Sequence, residues 1–497
     1  MPDKTPVLTA QDYAERDPEG CGVVGVYNHP NAARLCHLGL YAMQHRGQES
    51  AGIAAFDGTR VNLHKGQGLV SEVFNEKALA ELPGRTAIGH VRYSTTGSSA
   101  LYNAQPLRAN YRGGHMAVAH NGNLTNADEL ARALEANGAI FQSTTDSELI
   151  IHLIAQNRSG DFIDAMQTSF KRLRGAYSLT ILRDDELYAV KDPFGFRPLC
   201  IGTLGEDSWV VASESCALDI MGATYLRELQ PGEIISFRDG VVDRQAPVEP
   251  PGQAFCVFEL IYYSRPDSIV ANSNIYKFRK LLGAELAAEA PADADVVIAV
   301  PDSSNAAAVG YAAASGIPLE IGLVRSHYIG RTFIQPDQSQ RDFSAKMKYN
   351  PVREVLAGKR VVVIDDSIVR GTTAKKIIAM IRDSGAKEIH MRITAPPWKY
   401  PCFYGIDTPD EENLLANRMT VEQMRAWLGV ESLHFVSMDA LMRAMPKTIS
   451  YCTTCFTGHY TDGRPRRSTK HMHDAPAAEA APMPHVSAGV REPEASC

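Results

Sequence analysis

Nowhere in its 497 residues does the chain carry a run of about 18 apolar residues, so no segment reads as a bilayer-spanning helix. Its first twenty residues, MPDKTPVLTAQDYAERDPEG, lack the apolar stretch of a secretory signal, and the expected compartment is the cytoplasm. An excess of charge is missing too. With 50 Lys plus Arg against 57 Asp plus Glu the formal net charge is -7, which gives no global reason to expect a nucleic acid as partner and leaves local sites for small anions open. Cysteine is sparse and odd in number, nine over the whole length, which in a reducing compartment argues for metal binding or catalysis before disulfides. Internal repeats are absent. What is there is 44% apolar and 22% charged residues, the composition of a soluble globular chain, with length for two large domains.

The texture changes along the chain. Residues 1–20 are polar and turn-rich and read as a leader. From CGVVGVY at residue 21 to about 245, short strand-like runs such as AGIAAF, HMAVAHNG, AYSLTILRDDELYAV and WVVASES are broken by two helical patterns near 126–156 and 161–173. That order predicts a mixed α+β domain with much sheet. The segment Arg244 to Gln253, RQAPVEPPGQ, holds three Pro and one Gly and predicts a linker. Between 254 and about 460, ADVVIAV leads into PDSSNAAAVGYAAASGI, and KRVVVIDDS into IVRGTTAKKIIAMIRDSGA. Strands alternating with helices predict a parallel α/β sheet. Residues 461–497 are rich in Ala, Pro and charge without periodicity, and a disordered tail is expected there.

In KRVVVIDDSIVRGTTAKK an apolar strand runs into Asp365 and Asp366, then Ser367, Arg370, Gly371, Thr372 and Thr373, then an amphipathic helix. Each part has a physical use. Gly371 lets the backbone approach an anion, while hydroxyls and unpaired N–H groups at the helix start bind phosphate with help from its dipole. The carboxylates at the strand's end can accept from ribose hydroxyls or hold Mg²⁺. A bare Asp pair would be no more than a solvated turn. The complete string resembles the phosphoribosyl-diphosphate (PRPP) motif of the type I phosphoribosyltransferases. That resemblance implies a pyrophosphate loop at VPDSSNAAAVG, with amides near Ser303 and Ser304, and adds Ser303 to Asp365 and Asp366 at the Mg²⁺ site. Residues 325–352 carry Arg325, Arg331, Arg341, Lys346 and Lys348 with little periodicity. A loop this long in a compact domain is usually functional, and a lid over PRPP is expected, with Arg331 among its phosphate contacts.

CGVVGVY, MQHRGQESAGIAAF, GHVRYSTTG, AHNGNL and TDSELI follow one another across residues 21–150. Together they resemble the glutaminase domain of the N-terminal-nucleophile amidotransferases, whose fold is an αββα sandwich. A thiol on the first residue of a mature chain has its own α-amine in reach as general base, and ordinary pKa values near 8 and about 8.5 make the proton exchange nearly balanced. Cys21 therefore needs the leader cut between Gly20 and Cys21. By the resemblance, Arg92 and Thr95 hold the glutamine α-carboxylate and Asp146 its α-ammonium. Asn121 and Gly122 form the oxyanion hole, and Arg46 and Arg197 shape the pocket.

Cys452 and Cys455 form a C-x-x-C, with Cys402 in YPCFYGID and Cys256 in QAFCVFELIYYSRPDS. Four thiolates suit tetrahedral Zn²⁺ or a [4Fe–4S] cluster, and spacing alone favours zinc. The contexts, however, resemble the iron–sulfur branch of the glutamine PRPP amidotransferases, which implies the cluster. Cys36, Cys200 and Cys216 read as ordinary buried thiols, and Cys497 lies on the tail. The resemblance covers residues 21 to about 460. It implies ammonia transfer from glutamine to PRPP, giving 5-phosphoribosylamine at the entry to purine synthesis, in a homo-oligomer, commonly a tetramer, inhibited by purine nucleotides. It also implies that Tyr262 reports lid closure to the glutamine pocket. The rivals are a glutamine-dependent sugar-phosphate aminotransferase, which would lack VVVIDDSIVRGTT, and a non-catalytic PRPP-sensing regulator.

Overall fold

The computed structural model describes residues 20–93, 100–111, 113–157, 161–238, 252–326, 349–408 and 410–465, with the backbone of 241–245. Residues 1–19 of the expected leader, Thr95, the 327–348 part of the expected lid with Arg331, Arg341, Lys346 and Lys348, and the tail beyond 465 with Cys497 lie outside the described residues.

The first half is built from β1 (Gly22–Tyr27), β2 (Ser50–Phe56), β3 (Val61–Gln67), β4 (Thr86–Arg92), β5 (Leu107–Tyr111), β6 (Gly114–Leu124), β7 (Gly175–Arg183), β8 (Glu186–Lys191), β9 (Cys200–Leu204), β10 (Ser208–Ala212), β11 (Thr224–Glu228), β12 (Ile234–Arg238) and β13 (Val241–Gln245). They form two antiparallel sheets, ordered β11-β9-β10-β1-β4-β2-β3 and β13-β12-β8-β7-β6-β5. Three apolar clusters separate four layers. Val23 and Tyr27 of β1 pack with Ala117, Leu182 and Phe237 between the sheets. Val24 and Val26, on the opposite face, pack with Leu40 and Leu218 of the helices Ala32–Ala42 and Ser215–Met221. The helices Ala127–Glu135, Ser147–Gln156 and Phe162–Phe170 cover the second sheet. A strand's period of two thus sorts one sequence run into two cores, which gives the αββα sandwich. The expected helical stretch at 126–156 is two helices. Residues 136–146, with Gly138 at φ +82, break it, and Asp146 precedes the second.

The second half adds β14 (Phe255–Cys256), β15 (Ile269–Val270), β16 (Ser273–Asn274), β17 (Val296–Ala299), β18 (Leu323–Arg325), β19 (Tyr349–Pro351), β20 (Arg360–Asp365), β21 (Glu388–Ile393), β22 (Ser432–Phe435) and β23 (Tyr451–Cys452). Its main sheet, β17-β20-β21-β22, is parallel throughout. Val361 and Val363 pack with Ile377 and Ile381 of helix Thr372–Asp383. Val362 and Ile364 pack on the other face with Leu282 and Tyr311 of helices Ile275–Glu289 and Asn305–Ser315. Burial on both faces is why these strands read as unbroken apolar runs. The hairpin of β18 and β19 closes the two ends of the expected lid. Strand β13 continues to Gln245, two residues into the expected linker, and residues 461–465 are still docked: Asp462 accepts from the Gly175 amide at 2.6 Å.

Candidate active sites

Cys21 lies one residue before β1 and is buried. Its Sγ donates to the Tyr93 carbonyl at 3.4 Å, and Arg46 Nε donates to the Cys21 carbonyl at 2.9 Å. Burial pushes the thiol up from its ordinary range, against the opposing pull of the Tyr93 backbone contact and the Arg92 guanidinium. Thiolate must therefore be made by a base rather than found at neutral pH. Arg92, at the end of β4, is buried with Nη1 4.0 Å from Glu49 Oε2, and its environment includes the charges of Cys21 and Asp146. Asp146 Oδ2 accepts from the Leu124 amide at 2.7 Å. A buried cation and anion beside a thiol match the two charged ends of an amino acid. Asn121 on β6 is wholly buried, and both its side-chain Nδ2 and Oδ1 have no hydrogen-bond partner. A buried amide left unpaired costs about 1–3 kcal/mol, which makes Asn121 a candidate donor to a bound molecule. Gly122 has φ +152, and a Cβ there would stand 2.0 Å from the Ala176 carbonyl oxygen, so only glycine fits.

Sequence reading missed the carboxylate that ties these groups to the second half. Glu259 is fully buried; its Oε1 accepts from Arg46 Nη2 at 2.7 Å and Arg197 Nη1 at 2.9 Å, and its Oε2 from Arg46 Nη1 at 2.9 Å. Glu214 accepts from Arg46 Nη1 at 2.7 Å and lies 2.8 Å from His45 Nε2. Burial alone would raise both carboxyls, but His45 and Arg46 hold Glu214, and Arg46 and Arg197 hold Glu259, below the usual carboxylate range. The signal was available: one acidic residue inside the apolar run FCVFELIYY. Glu259 opens a wide helical turn, Glu259–Tyr263, closed by the Ser264 amide on the Glu259 carbonyl at 3.1 Å. Arg279 donates to the carbonyls of Leu260 and Ser264 in the same segment. Burial lowers this guanidinium to about 10, and Asp366 opposes that shift.

The second site stands at the carboxyl ends of neighbouring parallel strands, where α/β sheets bind ligands. β17 leads to Ser303 and Ser304, and β20 to Asp365 and Asp366. Ser303 Oγ donates to Asp366 Oδ2 at 2.6 Å and Ser367 Oγ to Asp366 Oδ1 at 2.6 Å. The Asp366 amide donates to Asp365 Oδ1 at 2.9 Å. Gly371 precedes helix Thr372–Asp383, and the buried Thr372 Oγ1 has no hydrogen-bond partner. Arg370 and Thr373 are half-buried on the same turn, and Arg325 pairs with Asp302 at 3.0 Å.

The four expected cluster cysteines come together where the halves meet. Cys256 and Cys452 are register partners in the parallel pair β14 and β23. Cys455 feels the charges of Cys452, Cys256 and Cys402. Burial pushes Cys256 up to about 12 and Cys452 to about 11, and raises Cys402 and Cys455. Among the described residues, no three His, Cys, Asp or Glu side chains are arranged to hold a metal ion.

A family described as "Glutamine amidotransferase domain" matches residues 90–219, and one described as "Phosphoribosyl transferase domain" matches residues 267–395. Amidophosphoribosyltransferase 1, chloroplastic, of Arabidopsis thaliana is 52% identical over 450 residues, covering 90% of this chain and 79% of that protein. The chain belongs to the amidophosphoribosyltransferase family. The amidophosphoribosyltransferase of Bacillus subtilis is 47% identical, with 89% of this chain and 94% of that one covered. The glutamine PRPP amidotransferase from B. subtilis, solved in complex with ADP and GMP, superposes with a TM-score of 0.84 at 45% identity, covering 89% and 97% of the two chains. A solved allosteric regulatory enzyme of purine biosynthesis superposes with a TM-score of 0.87 at 45% identity, covering 91% and 99%.

Proposed function

We propose that this amidophosphoribosyltransferase hydrolyses glutamine at Cys21 and passes the ammonia to C1 of PRPP, releasing glutamate and pyrophosphate and leaving 5-phosphoribosylamine, the first step of de novo purine synthesis. One observation carries the reading: a single chain holds a buried thiol with an unpaired buried amide, and a strand-end carboxylate pair ahead of a helix whose first residue, Thr372, has an unpaired buried hydroxyl. With Gly20 removed, the Cys21 amine takes the thiol proton and the sulfur attacks the amide carbon. Asn121 and the Gly122 N–H donate to the oxygen that becomes negative, the amine passes its proton to the amide nitrogen, which leaves as ammonia, and water then cleaves the Cys21 thioester to release glutamate and restore the thiol. Arg92 with Thr95 holds the α-carboxylate and Asp146 the α-ammonium.

At the second site Asp365 and Asp366 take the ribose hydroxyls, while Ser367, Arg370, Gly371, Thr372 and Thr373 take the 5-phosphate. Arg331 of the lid adds charge to the diphosphate. Ser303 and the two Asp are the groups that would hold Mg²⁺, and the Ser303–Asp366 hydrogen bond with the unpaired Thr372 hydroxyl fits that use. Bound there, Mg²⁺ would neutralise the leaving pyrophosphate. Cys256, Cys402, Cys452 and Cys455 would hold a [4Fe–4S] cluster. Cys256 and Cys452 are register partners, and Cys455 is close enough to feel the charges of Cys452, Cys256 and Cys402, which supports four thiolates at one site. The Glu259–Ser264 segment supports coupling, because one end reaches Arg46 beside Cys21 and Arg279 reaches toward Asp366; Tyr262 lies between them.

A nucleotide-bound relative supports purine nucleotides as inhibitors. Exposed Leu38, Tyr41 and Ile220 on the mutually packed helices Ala32–Ala42 and Ser215–Met221 support a homo-oligomer, with a tetramer as the form to look for. Among the described residues no helix is long and apolar enough to cross a membrane. The cytoplasm remains the proposed compartment, and the chloroplastic relatives mark a plastid as the alternative. The test is PRPP-dependent release of glutamate and pyrophosphate, in equal amounts, from anaerobically purified protein. Glutamate without pyrophosphate would overturn the transferase reading.

A further inference from the structure

The turn that carries Cys402 lies directly against the strand that carries Asn121 and Gly122. Asn123 Nδ2 donates to the Phe403 carbonyl at 3.0 Å, and Arg197 Nε donates to the Tyr404 carbonyl at 3.0 Å. The Tyr404 ring stacks on Phe196 with centroids 4.2 Å apart and planes 15° from parallel. Gly405 comes nearest. With φ +98 it brings its backbone so close that a Cβ would stand 3.0 Å from the Cα and carbonyl carbon of Gly122 and 3.0 Å from Arg197 Nη2. That Nη2 is buried and has no hydrogen-bond partner. Gly122 keeps register with Tyr177 of β7 but has φ +152, outside ordinary strand geometry, so the Gly405 backbone packs on a peptide whose direction the β6–β7 pairing sets from one side only.

We infer that Gly405 and Asn123 are positioning residues for glutamine hydrolysis: the Cys402–Gly405 turn of the second half braces Gly122 and sets the direction in which the Asn121 and Gly122 donors point. The inference rests on the oxyanion role proposed above for that pair. It makes glutamine hydrolysis depend on docking of the transferase half, through contacts separate from the PRPP site. Donor direction matters because losing one oxyanion donor costs about 10²–10³ in kcat, and a shift of about 1 Å costs about 10².

The test measures glutaminase kcat, KM for glutamine and ammonia-dependent synthesis in wild type, Asn121→Ala, Gly405→Ala and Asn123→Asp, each with Cys21 verified by mass spectrometry as the N-terminus. Asn123→Asp keeps the side chain's shape but sets an acceptor against the Phe403 carbonyl, so it probes the brace without crowding. Gly405→Ala and Asn123→Asp should lower kcat by about 10- to 100-fold, hold KM within about twofold and leave ammonia-dependent synthesis at the wild-type rate. A role in folding alone would instead lower both activities together. Wild-type kcat in both brace variants, with Asn121→Ala impaired, would overturn the inference; wild-type kcat in Asn121→Ala would overturn the oxyanion reading beneath it.

Discussion

Around Cys21 the charged side chains are buried and locked onto one another, Arg46 and Arg197 on Glu259 and Glu214, whereas around Asp366 the polar groups sit on loops at the mouth of a parallel sheet with several half-buried. The difference fits the ligands proposed for the two sites. A small amino acid offers two charges and an amide, and a closed pocket can be built for it in advance. A sugar bearing phosphate and diphosphate is too large and too charged to be enclosed by a rigid wall, which suits an open mouth offering helix-start amides and hydroxyls. The closed site is assembled partly from the other half of the chain, through Glu259 and the Cys402 turn, so its order should depend on how the halves join. The open site should be nearly independent.

The sharpest way to break that contrast is at the junction itself. Cys452→Ala or Cys455→Ala should give insoluble or unfolded protein, while wild type purified without air should be brown with about four iron and four sulfide per chain, read by metal and sulfide analysis. Next is Asp365→Asn with Asp366→Asn, which should cut synthesis from both glutamine and ammonia by about 10³-fold or more while the protein's melting profile stays intact. Normal ammonia-dependent synthesis by that double variant would refute the assignment of the two carboxylates to the PRPP site. Glu259→Gln should destabilise by about 3–5 kcal/mol in denaturant titration, since two buried guanidiniums lose their shared anion. The same carboxylate sets an acid limit. Because its folded pKa is depressed, its contribution is present above the unfolded value of about 4.3 and is lost as pH falls through the folded one.

The smallest effect concerns the thiol before processing. With Gly20 attached, Cys21 has a raised pKa, so its alkylation should be slow at neutral pH and accelerate as pH climbs past the ordinary thiol range. The folded state holds that proton more tightly, so the associated stability is full below the unfolded pKa and declines as pH rises through the folded one. Fast alkylation at neutral pH in the unprocessed chain would show that the pocket alone activates the sulfur.

Of the candidate open site, the stretch from Asp365 to Thr373 was legible in the sequence, because these residues are contiguous and join the end of a strand to the start of a helix. The parallel sheet was equally legible from strands alternating with helices, whereas the sorting of β1 into two cores was not, because GVVGVY is apolar throughout. Assembly across distance was not legible. Glu259 and Arg46 are 213 positions apart, and Asn123 and Phe403 are 280 apart; no local pattern pairs them. The docking of Asp462 on Gly175 shares that cause, since it depends on a surface that exists only after folding, whereas the split of the 126–156 stretch has a local signal in Gly138.

One measurement tests the central claim most directly: synthesis of phosphoribosylamine by Cys21→Ala, with glutamine and separately with ammonium chloride as nitrogen source, at saturating PRPP and Mg²⁺. The account predicts no detectable product from glutamine and wild-type synthesis from ammonia, because the thiol serves only the closed site. Glutamine-dependent product from Cys21→Ala, or equal loss with both nitrogen sources, would contradict it.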